Sequence, residues 1–226
     1  MLGIWTFRLL AKPAGLLGQL DVHYVVIDLK DSRYRAAPAL AATPERRESL
    51  TSMVARLQPH AAITGTYYDE HNRPLGDLVI DGREVCRGSQ RQGIGFTFGG
   101  RIKFVERMGN RRIDWTGCRG GLAAGPRLVR SGEKDINVER DGFSPRAAGV
   151  RAWRCAVGAT KEGKLIMCAV KDDITLSTLG EVMLELGAQD AINLDGGGMC
   201  ALYESGRYHA RPLSRMNNLL VVYKRK

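Results

Sequence analysis

Cysteine is scarce and scattered in this chain. Cys86, Cys118, Cys155, Cys168 and Cys200 form no C-x-x-C pair, and an odd count cannot be fully paired within one chain. A disulfide framework is therefore not expected. Histidine is just as thin: His23, His60, His71 and His209 lie far apart, so no zinc-ligand spacing arises and no metal is expected. The sequence has no G-x-x-x-x-G-K-[ST], no G-x-S-x-G and no Asn-x-Ser/Thr acceptor. Gly93-Ile94-Gly95 opens like a dinucleotide loop but lacks the third glycine, so no cofactor is expected either. No apolar run approaches the ~18–20 residues of a membrane-spanning helix. The opening segment MLGIWTFRLLAKPAGLLG is interrupted by Arg8 and Lys12 before an apolar core can develop, which argues against a secretory signal. A cytoplasmic protein fits this pattern, and so does a mature domain without its leader.

What is present is apolar content and positive charge. With 226 residues, 44% of them hydrophobic, the chain can bury a sizeable core, which excludes disorder for most of its length and predicts a single domain over 1–226. Lys and Arg number 34 against 24 Asp and Glu, a formal charge of +10. The surplus is local: residues 83–130 hold 11 basic and 3 acidic side chains. That stretch predicts an electropositive surface suited to phosphate or an anionic polymer. It lacks the aromatic interleaving of a single-strand nucleic-acid platform, because Phe96, Phe98, Phe104 and Trp115 alternate as core strand residues do. No nucleic-acid partner is expected.

Strand-like runs dominate. Val22–Leu29, Ala61–Tyr68, Leu78–Ile80, Ile94–Phe98, Ile102–Val105, Leu122–Val129, Ala152–Ala159, Leu165–Val170, Ala191–Leu194 and Leu219–Tyr223 are rich in β-branched, aromatic or small apolar residues. Asp81-Gly82, Gly99-Gly100, Ser131-Gly132 and Lys161-Glu162-Gly163 punctuate them as turns. Two helices are expected. One starts at Thr43-Pro44, carries Leu50, Met53, Val54 and Leu57 on one face and ends before Pro59. The other has capping-box spacing at Thr178 and Glu181, with Leu179, Val182, Met183 and Leu186 as its apolar stripe up to Gly187. There is no repeated β-α alternation. The expected class is α+β: a mixed, mainly antiparallel sheet with two principal helices.

Asn193-Leu194-Asp195-Gly196-Gly197-Gly198 is the most informative segment. Three consecutive glycines are costly to order, so a chain places them where side chains must be absent or φ positive. Directly after a buried strand, they let backbone N–H groups turn toward a ligand and form an anion-binding concavity. Asp195 would stand at its rim.

The run from Arg154-Cys155-Ala156-Val157-Gly158 through Leu179-Gly180-Glu181 to Asp190-Ala191-Ile192-Asn193-Leu194-Asp195-Gly196-Gly197-Gly198 resembles the phosphodiester glycosidase family, that of the mannose 6-phosphate uncovering enzyme. Other blocks match in order. Ala62-Ile63-Thr64-Gly65-Thr66-Tyr67-Tyr68 and Pro74-Leu75-Gly76 are similar to the family's A-I-N-G-G-F-F and P-x-G. Gly125-Pro126 with Leu128-Val129 is similar to its G-P-x-L-V, and Arg215-Met216-Asn217-Asn218-Leu219-Leu220 to its closing R-V-x-N-A-L. The likeness covers about residues 61–223 and is strongest over 151–198. Three positions depart from the pattern: Thr64 stands for Asn, Thr66 for Gly, and Met199-Cys200 for the hydroxyl residue after the glycines.

The resemblance implies a metal-independent hydrolase of a sugar-1-phosphate diester, acting on a phosphorylated glycan or related anionic glycoconjugate. Phosphate is a better leaving group than a sugar alcohol, so one carboxylate with cationic and backbone donors can do what ordinary glycosidases do with two. Asp195 would be that carboxylate, as nucleophile or base. Arg154 would hold phosphate as a fork, and Asn193, counted with Asp195 and Arg154 as catalytic, would orient the sugar or support Asp195, as would Asn218 and Arg215. Gly196, Gly197 and Gly198 would offer amides, while Thr64, Gly65, Tyr68, Gly125, Arg215 and Asn218 would line or orient the substrate. Asp69, Glu70, Asp172 and Asp173 are acids at strand ends that could also approach it. The rival reading is a glycan-binding protein of the same fold in which Met199-Cys200 ended catalysis.

Overall fold

A computed structural model describes residues 15–43 and 46–225. Residues 1–14 of the opening segment, with Arg8 and Lys12, and Pro44 lie outside the described residues. The α+β class holds, with three sheets in which every named pairing is antiparallel. The first sheet runs Val22–Ile27, Leu165–Ile174, Ala152–Thr160, Ala188–Asn193, Arg127–Arg130, Glu133–Lys134. The second runs Arg207–Ala210, Leu202–Glu204, Ala61–Thr64, Asn218–Lys224, Tyr34–Leu40. The third runs Arg83–Cys86, Leu78–Ile80, Cys118–Ala124, Gln92–Thr97, Ile102–Glu106.

Burial on both faces explains why several strands read as continuous apolar runs rather than alternating ones. In the first sheet Cys155, Val157, Leu165, Met167 and Ile192 enter a central core shared with the other two sheets. Their neighbours Ala156, Ile166, Cys168, Val170 and Ala191 face the helix Leu176–Glu185 in a second core. The second sheet divides likewise: Ile63, Leu202 and Leu220 turn to the centre, while Ala62, Leu219 and Val221 meet the helix Leu50–Leu57. Each buried Leu, Ile or Met contributes roughly 1.5–3 kcal/mol, so the central core is the main stabilising element.

Several local expectations change. The helix expected from Thr43-Pro44 begins at Leu50, because Ser49 supplies the cap: its Oγ accepts from Ser52 N at 3.1 Å. The second helix is capped by Thr175, whose Oγ1 accepts from Thr178 N at 3.3 Å, and Glu181 pairs with Lys134 at 2.7 Å instead of closing a capping box. The strand expected over Leu122–Val129 is divided at Gly125-Pro126, where Gly125 takes φ 134° and Pro126 has no N–H to donate. The strand expected over Ala61–Tyr68 stops at Thr64, because Asn218 replaces the next ladder partner. Tyr34–Leu40, Leu202–Glu204 and Arg207–Ala210 escaped the sequence reading; Pro38 and the small residues around it mask the first of these. No helix among the described residues is long and apolar enough to cross a membrane.

Candidate active site

The three sheets converge on one group of loops. Residues 65–68 leave the second sheet, 194–199 leave the first, and Gly125-Pro126 passes from the third sheet to the first. Backbone bonds lock them together. Leu194 N donates to Cys155 O at 2.9 Å, Asp195 N to Gly65 O at 3.1 Å, Gly125 N to Asn193 O at 3.0 Å and Asn193 N to Pro126 O at 2.9 Å.

The three glycines after Asp195 serve different purposes. A Cβ on Gly196 would stand 2.8 Å from Trp153 O, so the loop lies directly on the strand that carries Arg154. Gly197 takes φ +55°, a left-handed conformation that glycine adopts freely. Gly198 meets only Leu213, at ordinary contact distance. Gly196 N donates to Asp195 Oδ1 at 2.9 Å, whereas the amides of Gly197 and Gly198 donate to no acceptor in the described hydrogen bonds. They are donors of the kind an anion can take.

Asp195 is mostly buried, and among the described ion pairs it has no cation. Burial pushes its pKa up to about 6 against the counteracting hydrogen bond from Gly196 N. Arg154 is the mirror case. Its guanidinium donates to two backbone carbonyls, from Nε to Ile174 O at 3.3 Å and from the terminal nitrogen to Val150 O. No carboxylate pairs with it among the described residues, and burial lowers its pKa. The two charges do not form an ion pair with each other. Both act on the phenol of Tyr67, whose pKa is raised first by its own burial, further by Asp195, and partly restored by Arg154.

Tyr67 and Asn193 form a buried polar knot beneath the loops. The Tyr67 hydroxyl donates to Gly125 O at 2.7 Å, and Asn193 Nδ2 donates to the Tyr67 oxygen at 2.5 Å and to Leu194 O at 2.8 Å. Phe143 packs edge-on against the Tyr67 ring at 5.7 Å. Asn193 thus sits under Asp195 with its amide nitrogen committed to the frame, while its Oδ1 is buried without a partner. Asn218 is likewise committed: Oδ1 accepts from Thr66 N at 2.8 Å and Nδ2 donates to Thr66 O at 3.0 Å. A Cβ on Gly65 would fall 1.9 Å from Asn218 Oδ1, which ties the two positions to each other.

Tyr68 stands at the rim, its hydroxyl donating to Met199 Sδ at 2.9 Å and its ring under Arg47 at 5.1 Å. Leu213 is 81% exposed on a segment whose Leu213 N donates to Gly198 O at 2.7 Å. Arg215, two residues on, is exposed, and Thr64 is buried beneath. The structure therefore joins Asp195 to Gly65, and Asn193 to Gly125, through hydrogen bonds, and lays Gly196 on the strand of Arg154. It ties Asn218 to the Thr66 loop and brings Tyr68 against Met199, while Arg215 is exposed. Sequence reasoning missed Arg47, Leu213 and Phe143, which lie in segments without a motif.

The other acids are engaged elsewhere. Asp69 caps its own turn through His71 N and Arg73 N and pairs with Arg73 at 2.8 Å. Asp172 accepts from Asp21 N, and Glu70 and Asp173 are exposed. Among the described residues no three His, Cys, Asp or Glu side chains gather as a metal-binding group. The basic stretch is partly neutralised by Arg119–Asp81, Arg127–Asp190 and Arg130–Asp135 pairs. A separate cleft of about 200 Å³, lined by Lys30, Arg35, Phe98 and Arg119 among others, shares no residue with the Asp195 loop.

A phosphodiester glycosidase family model matches residues 58–223. No curated protein matches the chain. Among solved structures, a hypothetical protein from Synechocystis superposes with a TM-score of 0.80 at 16% identity, over 90% of this chain and 59% of that one. The chain thus spans under two thirds of that protein. The catalytic domain of zebrafish N-acetylglucosamine-1-phosphodiester alpha-N-acetylglucosaminidase, auto-inhibited by its pro-peptide, superposes with a TM-score of 0.69 at 22% identity, over 91% of this chain and 84% of that one.

Proposed function

The chain belongs to the phosphodiester glycosidase family, and on that premise we propose that it hydrolyses a sugar-1-phosphate diester, releasing the sugar and leaving a phosphate monoester. The observation that carries this reading is the pair of uncompensated charges in one partly buried site. Among the described residues Asp195 has no cation and Arg154 has no carboxylate. Such charges are expensive in a protein interior, and they persist where a substrate completes them.

The division of labour follows from charge. The phosphate is drawn to Arg154 and to the free amides of Gly197 and Gly198, which stabilise the negative charge that grows as the glycosyl C–O bond breaks. The opposite charge develops on the sugar ring, where the Asp195 carboxylate attacks the anomeric carbon or takes a proton from attacking water. Asn193 and Tyr67 hold the strand end under Asp195, and Asn218 holds the Thr66 loop, so these residues position rather than react. Tyr68 is the side chain at the rim that meets the sugar or the group beyond the phosphate.

A panel of glycosyl 1-(methyl phosphate) diesters tests the reading. Equal amounts of free sugar and methyl phosphate should appear, and Arg154→Ala should lower kcat/KM by roughly 10²-fold. Saturable binding of the panel without turnover would instead favour a glycan-binding protein that has lost catalysis.

The pH dependence has a definite sign. If Asp195 works as the carboxylate, kcat/KM should fall tenfold per unit below a pKa of about 6 and level off above it. A pH–rate profile rising toward acid would reassign Asp195 as a proton donor.

A further inference from the structure

Cys155 and Cys200 meet behind the candidate site. Their Sγ atoms are 3.1 Å apart, nearer than two sulfurs rest in ordinary nonbonded contact, and both side chains are fully buried. Neither thiol has a role in the chemistry above. Cys155 directly follows Arg154 on its strand, and Cys200 directly follows the loop 195–199. The same residue also receives the start of that loop, through Leu194 N to Cys155 O at 2.9 Å. Both ends of the Asp195 loop are therefore seated on Cys155.

We propose that Cys155 and Cys200 are a latent disulfide site, and that the bond braces the Asp195 loop against the strand of Arg154. A disulfide needs sulfurs about 2.05 Å apart, so the pair must close by roughly 1 Å. The end of a glycine-containing loop can make that shift. The other cysteines are poorly placed to compete. Cys168 lies on the opposite face of the first sheet, in the core under the helix Leu176–Glu185, whereas Cys155 and Cys200 share the central core. Cys118 packs under Gly95 in the third sheet, and Cys86 lies beside Pro74.

The oxidant is a low-molecular-weight disulfide such as glutathione disulfide. The Cys200 thiolate attacks one of its sulfurs and expels one glutathione thiolate, forming a mixed disulfide. The Cys155 thiolate then attacks the Cys200 sulfur and expels the second glutathione. Two protein thiols lose two electrons in all, and one glutathione disulfide becomes two thiols. Burial also raises the Cys155 pKa, which keeps its thiolate scarce once the chain has folded. The bond is therefore made during folding, while the sulfurs are accessible.

The full chain is refolded either in a glutathione/glutathione-disulfide buffer or under full reduction, and free thiols are counted after alkylation-controlled denaturation. The oxidised sample should show three free thiols against five in the reduced one, with a single crosslinked peptide joining residues 155 and 200. Its melting temperature should be higher by about 5–10 °C, a difference that added reductant removes. Cys168→Ser should still form the crosslink, and Cys200→Ser should not. Five free thiols in both samples, a crosslink between any other pair, or a 155–200 crosslink that leaves the melting temperature unchanged would overturn the proposal.

Discussion

Replacing Asp195 by asparagine is expected to lower kcat for a glycosyl phosphodiester by about 10³-fold or more while making the protein more stable at pH 7. Asparagine keeps the size of the side chain and can still accept from Gly196 N, as Asp195 does at 2.9 Å. It cannot attack carbon or take a proton. The stability gain comes from linkage. The folded-state pKa of about 6 lies above the ordinary 3.8, so folding favours the protonated acid. That contribution is complete below pH about 4 and is lost as pH rises through 6, where the buried carboxylate ionises. A shift of roughly two units corresponds to about 2–3 kcal/mol, or about 5 °C or more in melting temperature for a chain of this size. Thermal melts at pH 5 and pH 7 check it: the variant's advantage should be larger at pH 7. An inactive variant with an unchanged or lower melting temperature at pH 7 would mean that the carboxylate is solvated or paired in the folded protein.

Gly76→Ala should be the most damaging substitution for the fold. A Cβ there would lie 1.7 Å from Ala123 O and 2.4 Å from Thr66 Oγ1. The first obstacle is the backbone of a buried strand in the third sheet, which cannot rotate out of the way. Relief requires separating the segment after Pro74 from that sheet, at a cost of about 4 kcal/mol or more. The melting temperature should fall by at least about 10 °C, and the Thr66 loop should loosen with it. Gly99→Ala is the control, since a Cβ there meets nothing within 4 Å and its φ is not left-handed. Circular dichroism melts of the two variants decide the matter, and a Gly76→Ala protein melting within 2 °C of the parent would show that the sheet yields easily. Gly65 is a milder case. Its obstacle at 1.9 Å is the end of the Asn218 side chain, so a substitution there would break the clamp on Thr66 before it moved any strand.

Much of the frame was legible because it is written in local patterns. Turn residues stand where the chain reverses: Asp81, Gly82, Ser131 and Gly132 all adopt positive φ at the expected places. The stripe of Leu50, Met53 and Val54 marked the buried face of a helix correctly, although the cap lay six residues beyond the expected start. The caps were misread because Ser and Thr recur near both helices, and the choice among them depends on where the preceding strand releases the chain. The break at Gly125-Pro126 shows the same limit. The glycine and proline were visible, but only the meeting of Gly125 O with the Tyr67 hydroxyl makes the bend part of a site.

By itself the sequence determined the α+β class, the abundance of strands and the glycine loop after Asp195, because each depends on residues within a few positions of one another. Tertiary structure alone decided what surrounds Asp195. Asn218 reaches Thr66 across 152 residues, Asn193 reaches Tyr67 across 126, and Cys155 meets Cys200 across 45. Periodicity tells which face of a strand is buried but not what it is buried against. That among the described residues Arg154 meets no carboxylate and Asp195 no cation is a property of three sheets packed together, and it cannot be read from either residue's neighbours in the chain.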